Sequence, residues 1–191
     1  MKTTAPDAEQ SATCLAQDAR TGHRNTWYYG TGELLSTTNR NISTNIRTVG
    51  IGNGIFKSTD NGESWQPLAS TQGGSPAFLQ EIFQGVWRIA VDPVALNNDI
   101  VYAALSSFSW SIEPPEKKGI WRSTNGLTWK NITPEGFPTD NRVTCLALAP
   151  SNENILYVFT ESQSPDLNPF NGYANSINTF WKMSWNPVFR G

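Results

Sequence analysis

The sequence predicts an all-β fold of about three four-stranded antiparallel units, the arrangement of β-propeller blades. Three observations carry this reading. The runs "ATCLAQD" (12–18), "VWRIAVD" (86–92) and "VTCLALA" (143–149) are alike, apolar and strand-like, and each ends at a turn. Each is followed, after a short polar loop, by a second run, "TWYYGTGE", "DIVYAALS" or "ILYVFTE", which align on Tyr29, Tyr102 and Tyr157. A third element, "GIFKST" or "GIWRST", then turns through Asn-Gly into a tryptophan and a fourth strand. Residues 1–191 form one region with blade-like units at about 12–70, 86–133 and 143–191.

Each element has a local reason. Strand one is an apolar, strand-like run that stops at Asp18, Asp92 or Ala149, and the two aspartates are read as turn caps. Short loops, "ARTGHRN", "PVALNN" and "PSNEN", lead into strand two. Long loops follow it, at roughly 34–53, 106–118 and 162–178. The fourth strands are "WQPLAS" and "WKNIT". The third unit has only "TFWKMSW", with Met183 and Ser184 where its turn motif would begin, so its outer hairpin is degenerate or cut short.

The turn motif itself is informative. Ser58, Asp60, Gly62 and Trp65 fit S-x-D-x-G-x-x-W. Asp60 is placed to accept hydrogen bonds from turn N–H groups, Gly62 supplies a positive φ, and Trp65 packs back over the hairpin. This stretch resembles the Asp-box, the bacterial neuraminidase repeat of sialidases, xyloglucan-cleaving glycosidases and sortilin-type receptors. The resemblance implies a β-propeller and makes the box a fold staple remote from any active site. In the second box, Ser123, Asn125, Gly126 and Trp129, the aspartate is replaced. Asn125-Gly126 is expected to close a primed turn with both residues at positive φ.

Composition excludes several functions. A net charge of -2, from 14 Lys+Arg against 16 Asp+Glu, offers no basic surplus for nucleic acid. No run of 18 apolar residues suggests membrane insertion, and "MKTTAPDAEQ" lacks the apolar stretch of an export signal, so the chain is either intracellular or a processed or truncated piece. Two cysteines and one histidine are too few for a structural zinc site, and neither metal nor cofactor is expected. Cys14 and Cys145 fall at one repeat position in non-adjacent units, so both are expected to be free and largely buried. His23 lies in a short polar loop beside Arg20 and Arg24, so a Ser-His-Asp arrangement would have to be built on the face opposite the long loops. Three blades do not close a ring of about four to eight, so further blades or other chains are expected to complete it.

Function is expected on the long-loop face. Its loops carry Phe108, Trp110, Phe170, Tyr173, Asn39, Asn41 and Asn45, which suit sugar or protein surfaces unless the rings fold inward to stabilise their own loops. Counted from the aligned tyrosines, Glu33, Ser106 and Glu161 share one position at the mouth of this face. Glu33 and Glu161 are therefore candidate catalytic residues, with a loop-anchoring role as the alternative, and Glu33, Phe108, Trp110 and Tyr173 are candidate ligand contacts. Glycoside hydrolysis needs two carboxyl groups about 5 to 9.5 Å apart, which non-adjacent units do not readily provide. The arginine cluster of sialidases has no repeat-matched counterpart in Arg40, Arg47 and Arg142. Two readings stand: a non-catalytic propeller segment binding glycan or protein, and a piece of a xyloglucanase-like or sialidase-like glycoside hydrolase completed by other blades. The resemblance implies an extracellular or cell-surface setting for either.

Overall fold

Strands form where the sequence runs apolar, and β1, β2 and β7 stop directly before Asp18, Gly32 and Asp92. The computed structural model describes residues 12–36, 48–50, 52–72, 82–95, 99–105, 118–139, 142–149, 152–161 and 179–184. The first unit holds β1 (Ala12–Gln17), β2 (Trp27–Thr31), a small hairpin of β3 (Glu33–Ser36) and β4 (Thr48–Gly50), then β5 (Ile55–Ser58) and β6 (Gln66–Pro67). The second holds β7 (Val86–Val91), β8 (Val101–Leu105), β9 (Gly119–Ser123) and β10 (Trp129–Asn131). The third holds β11 (Arg142–Ala149), β12 (Asn152–Glu161) and β13 (Thr179–Ser184).

Pairing is antiparallel and sequential, in the orders β1-β2-β5-β6, β7-β8-β9-β10 and β11-β12-β13, with β3-β4 as a separate ribbon. The blade-like fold is thus as expected, with two differences. The first long loop contains the β3–β4 ribbon, and the third sheet has three strands among the described residues. Strand four is short: β6 has two residues, with Pro67 opposite Phe56. Pairing runs on through Leu68 N–H to the Ile55 carbonyl and Ile132 N–H to the Ile120 carbonyl, both at 2.8 Å. A brief edge carrying a proline is a poor template for further strands.

The repeat register corrects the tyrosine alignment. Trp27 lies opposite Ser58 and Val101 opposite Ser123, so Tyr28 faces Lys57 across the ladder as Tyr102 faces Arg122. In the third sheet Tyr157 faces Lys182, and Met183 takes the place of the box serine. The equivalent residues are Tyr28, Tyr102 and Tyr157, and Tyr29 is one residue out of register. "WYYGT" offers two adjacent tyrosines, and a one-residue slip exchanges the two faces of a strand, which pattern alone does not resolve. The ladder also shifts at one equivalent place in every first strand: between Ala12 and Cys14, Val86 and Arg88, and Val143 and Cys145.

Burial explains why strand two of the second unit does not alternate. "VYAAL" is buried throughout. Val101, Ala103 and Leu105 join Tyr28, Ile55, Val86 and Trp121 between the first and second sheets, while Tyr102, Ala104 and Ile120 join Val143, Leu156, Val158 and Met183 between the second and third. Gly30 marks how closely the first two sheets approach, since a Cβ there would lie 2.5 Å from Val86 Cγ1 and 2.9 Å from Cys14 Sγ. The inner strands are linked directly: the Thr13 hydroxyl donates to the Val86 carbonyl, and Arg88 Nε donates to the Thr144 carbonyl at 2.8 Å.

Both cysteines are free, as expected, but only one is sheltered. Cys14 is half-buried, and burial pushes its thiol above the ordinary range. Cys145 is exposed, because it lies on the face of the third sheet turned away from the second.

Candidate functional site

The chemistry of the box turns decides which face of the sheets is spoken for. Ser58 Oγ accepts from Gly62 N–H at 2.9 Å and donates to Asp60 Oδ1 at 2.7 Å. Asp60 Oδ1 accepts from Ser64 N–H at 3.0 Å, and the Ser64 hydroxyl donates to Asp60 Oδ2. Gly62 sits at φ 89° and Asn61 at 62°, so the chain reverses through two left-handed residues. Trp65 lies edge-on to Tyr29, centroids 4.8 Å apart, and Tyr29 stacks on Phe56. Hydrogen bonds from Ser64 hold the Asp60 carboxyl down at about 2. The expected staple is present.

The second box uses the same network, which corrects the expectation of a primed turn. Gly126 has φ 70°, whereas Asn61 is the one non-glycine residue at positive φ among the described residues, so Asn125 is not left-handed. Its Oδ1 instead accepts from Leu127 N–H at 2.8 Å and Thr128 N–H at 2.9 Å, while Ser123 Oγ accepts from Gly126 N–H at 2.8 Å. An amide oxygen accepts hydrogen bonds as a carboxylate oxygen does, so the aspartate's task survives its loss. Trp129 Nε1 then donates to Ser70 Oγ at 3.2 Å and Ser70 Oγ to the Gly126 carbonyl at 2.9 Å, fastening this box to the preceding sheet.

An ionic cluster joins the first two sheets on the same face. Arg20 donates through Nε to Asp18 Oδ1 at 2.9 Å and through Nη2 to Asp99 Oδ1 at 2.6 Å, and Lys57 Nζ meets Asp99 Oδ2 at 2.7 Å. Burial opposes the charge on Asp99, but Lys57 and Arg20 keep its carboxyl below the ordinary range. Ligand atoms of Asp18, His23 and Asp99 lie within 4.8 Å of one another, yet the Arg20 guanidinium already spans both carboxylates, which leaves a clamp and not a cation site. Asp92 caps its turn as expected, accepting from Val94 and Ala95 N–H at 2.9 and 3.2 Å. Asp18, Asp60, Asp92 and Asp99 are all engaged, so none of them is a free acid or base. The sequence reading missed the clamp: Asp99 aligns with Asn25 and Asn154, so no repeated acid marks it.

Of the candidate site residues, Glu33 and Glu161 lie at the other ends of the strands. Here the ends of the first sheet's strands meet the short helical turn before β7 in a tight backbone junction. Gly52 N–H donates to the Gln84 carbonyl at 2.8 Å, and Gly54 N–H to the Phe83 carbonyl at 3.2 Å. Gly32, at φ 108°, lies so close that a Cβ would fall 2.1 Å from the Gln84 carbonyl oxygen. This junction aims the β3–β4 ribbon, whose first residue is Glu33, opposite Gly50. Glu161 ends β12 opposite Arg142. With Tyr28 in register with Tyr157, Gly32 is the equivalent of Glu161, and Glu33 lies one residue further on. The two glutamates therefore do not share a repeat position, and they belong to different sheets. Phe108, Trp110 and Tyr173 lie outside the described residues.

Comparison with known proteins gives the fold a broader setting. No protein-family model matches the sequence, and no curated protein matches it. Among solved structures, the GH74 xyloglucanase from Xanthomonas campestris superposes with a TM-score of 0.53 at 17% identity, covering 92% of this chain and 21% of that one. An ancestral GH74 enzyme gives 0.51 at 24% identity, covering 91% of this chain and 18% of its own. The chain thus spans about a fifth of the length of these β-propeller enzymes, and the likeness establishes the propeller-type fold.

Proposed function

We propose that the chain is an arc of a glycoside-hydrolase-like β-propeller whose remaining blades complete an active site on the long-loop face. The observation that carries this reading is the fit of nearly the whole chain onto about a fifth of two GH74 enzymes, one of them a xyloglucanase. The substrate class is accordingly a β-glucan of the xyloglucan kind. Glu33, which follows Gly32 of the glycine junction, is the candidate acid or base, and Glu161 is the weaker one. The two boxes are assigned to the Asp-box repeat shared with sortilin-type propellers, and the setting to the cell surface or exterior.

A second reading is favoured by the register. Because Glu33 and Glu161 are out of step, the arc supplies no matched acid pair, as suits a propeller that binds glycan or protein through Phe108, Trp110 and Tyr173 without cleaving it. Titration with xyloglucan oligosaccharides, followed by calorimetry and by release of reducing ends, separates the two. Under the hydrolase reading, Glu33→Gln abolishes turnover with unchanged melting. Under the binding reading there is no turnover, Trp110→Ala weakens binding and Glu33→Gln does not. A ligand seated against Asp60 and Asp92 overturns both.

A further inference from the structure

Four Asn-Gly pairs occur in the sequence, and three lie among the described residues: Asn53-Gly54, Asn61-Gly62 and Asn125-Gly126. In such a pair the glycine nitrogen is free to attack the asparagine side-chain carbon, because glycine has no Cβ to block the approach. What holds the two groups decides the outcome. In the first pair the Asn53 amide nitrogen is tied to Gln72 Oε1 at 2.9 Å, and the N–H of buried Gly54 to the Phe83 carbonyl at 3.2 Å. In the second, Gly62 N–H goes to Ser58 Oγ at 2.9 Å, but that hydroxyl donates to Asp60 at 2.7 Å, while Asn61 Oδ1 is taken by Trp27 Nε1 at 3.0 Å. Attacking and attacked groups share no partner there.

The second box is one residue shorter, which brings its acceptor residue, Asn125, directly ahead of its glycine. Ser123 Oγ accepts from Gly126 N–H at 2.8 Å and reaches Asn125 Oδ1 at 3.4 Å, so one hydroxyl bridges the attacking nitrogen and the oxygen of the group attacked. Oδ1 also receives Leu127 N–H, Thr128 N–H and the Thr128 hydroxyl at 2.8, 2.9 and 3.2 Å, donors aimed where negative charge develops. Asn125 is exposed, so water reaches it. We propose that the folded second box is a self-modification site that deamidates Asn125. The Gly126 nitrogen bonds to Asn125 Cγ as its proton passes to Ser123 Oγ and the serine proton passes to Oδ1. Collapse of the tetrahedral adduct returns that proton to Nδ2, which leaves as ammonia, and a cyclic imide remains. Water then opens the imide, its hydroxyl adding to one carbonyl carbon and its proton going to the nitrogen: opening at Cγ gives aspartate, and opening at the main-chain carbonyl gives isoaspartate. The first product gives this box the carboxylate that Asp60 supplies in the other; the second lengthens the main chain at the turn. The inference does not depend on the hydrolase or binding reading.

The chain carries its own controls. Trypsin, cutting after Arg47, Lys57, Arg88, Arg122 and Lys130, places Asn53, Asn61 and Asn125 on separate peptides, 48–57, 58–88 and 123–130. The purified 191-residue chain is incubated at one mildly alkaline pH, folded and in guanidinium chloride, and conversion of each amide to acid is followed by peptide mass spectrometry. The ratio of folded to unfolded rate removes the effect of local sequence. For Asn125 this ratio should exceed that for Asn61 and for Asn53 by about tenfold or more, as acid–base help and placed oxyanion donors provide. Ser123→Ala removes the bridging hydroxyl and should abolish the excess at Asn125. A loose turn would behave in the opposite way, since losing a hydrogen bond would free it further. An Asn125 ratio no higher than that of Asn61 overturns the proposal in the parent chain, before any variant is made. An excess that survives or grows in Ser123→Ala overturns it as well.

Discussion

Asp60 and Asn125 do the same work in adjacent sheets: Asp60 Oδ1 takes the N–H of Ser64 at 3.0 Å, and Asn125 Oδ1 takes that of Thr128 at 2.9 Å. One acceptor is charged and the other is not, so the pair is a comparison of carboxylate with amide already made within one chain.

The first prediction concerns pH. The folded-state pKa of Asp60, about 2, lies below its ordinary 3.8, so its contribution to stability is complete above about 4 and is lost as pH falls through 2. Asp60→Asn keeps an acceptor but cannot titrate. Melting temperatures of the two proteins, measured from pH 7 downward, should differ in favour of the parent and converge near pH 2. A difference that stays constant over that range contradicts the assignment.

Asn125→Ala should destabilise the protein by about 1 to 2 kcal/mol in urea titration, the net value of one or two turn hydrogen bonds. Asn125→Asp should be neutral near pH 7 and gain acid sensitivity of its own. Asn125→Gly separates the two accounts of this turn. Glycine would rescue a residue needed for positive φ, and it should fail to rescue one needed as an acceptor.

Asp99→Asn removes the charge that Arg20 and Lys57 share, and should cost about 1 to 3 kcal/mol, the value of charged hydrogen bonds in a partly buried setting. Because the carboxyl is held below its ordinary range, the contribution is present above that range and lost on acidification. A double-mutant cycle with Lys57→Met should show coupling, since the two atoms lie 2.7 Å apart.

The two thiols should differ in the purified chain. Cys145 is exposed, while burial raises the Cys14 pKa and limits access, so at pH 8 Cys145 should react with a disulfide reagent about ten times faster or more. Equal rates would place Cys14 on an open surface.

Strand positions were legible because each apolar run is bounded by turn chemistry, and the S-x-D-x-G-x-x-W spacing marked Asp60 as the acceptor and Gly62 as the residue at positive φ. Register was not legible where two tyrosines stand side by side, because Tyr28 and Tyr29 differ only in which face they occupy. That single slip also put Glu33 and Glu161 at one position. The second box was misread because Asn is at home both at positive φ and as an acceptor, and local sequence does not choose between them. The clamp depends on Asp99 meeting Arg20 and Lys57 across a sheet boundary, a contact 42 or more residues apart along the chain with no repeated counterpart.

The strand that reads "VYAAL" is buried on both sides, and its consequence is an order of disassembly. Among the described residues the first and third sheets each pack on the second, whereas the second packs on both. Loss of an end costs one interface, and loss of the middle costs both at once, so opening spreads inward from the flanks. In hydrogen–deuterium exchange the amides of β8 and β9 should be the last to yield, exchanging only when the whole arc comes apart.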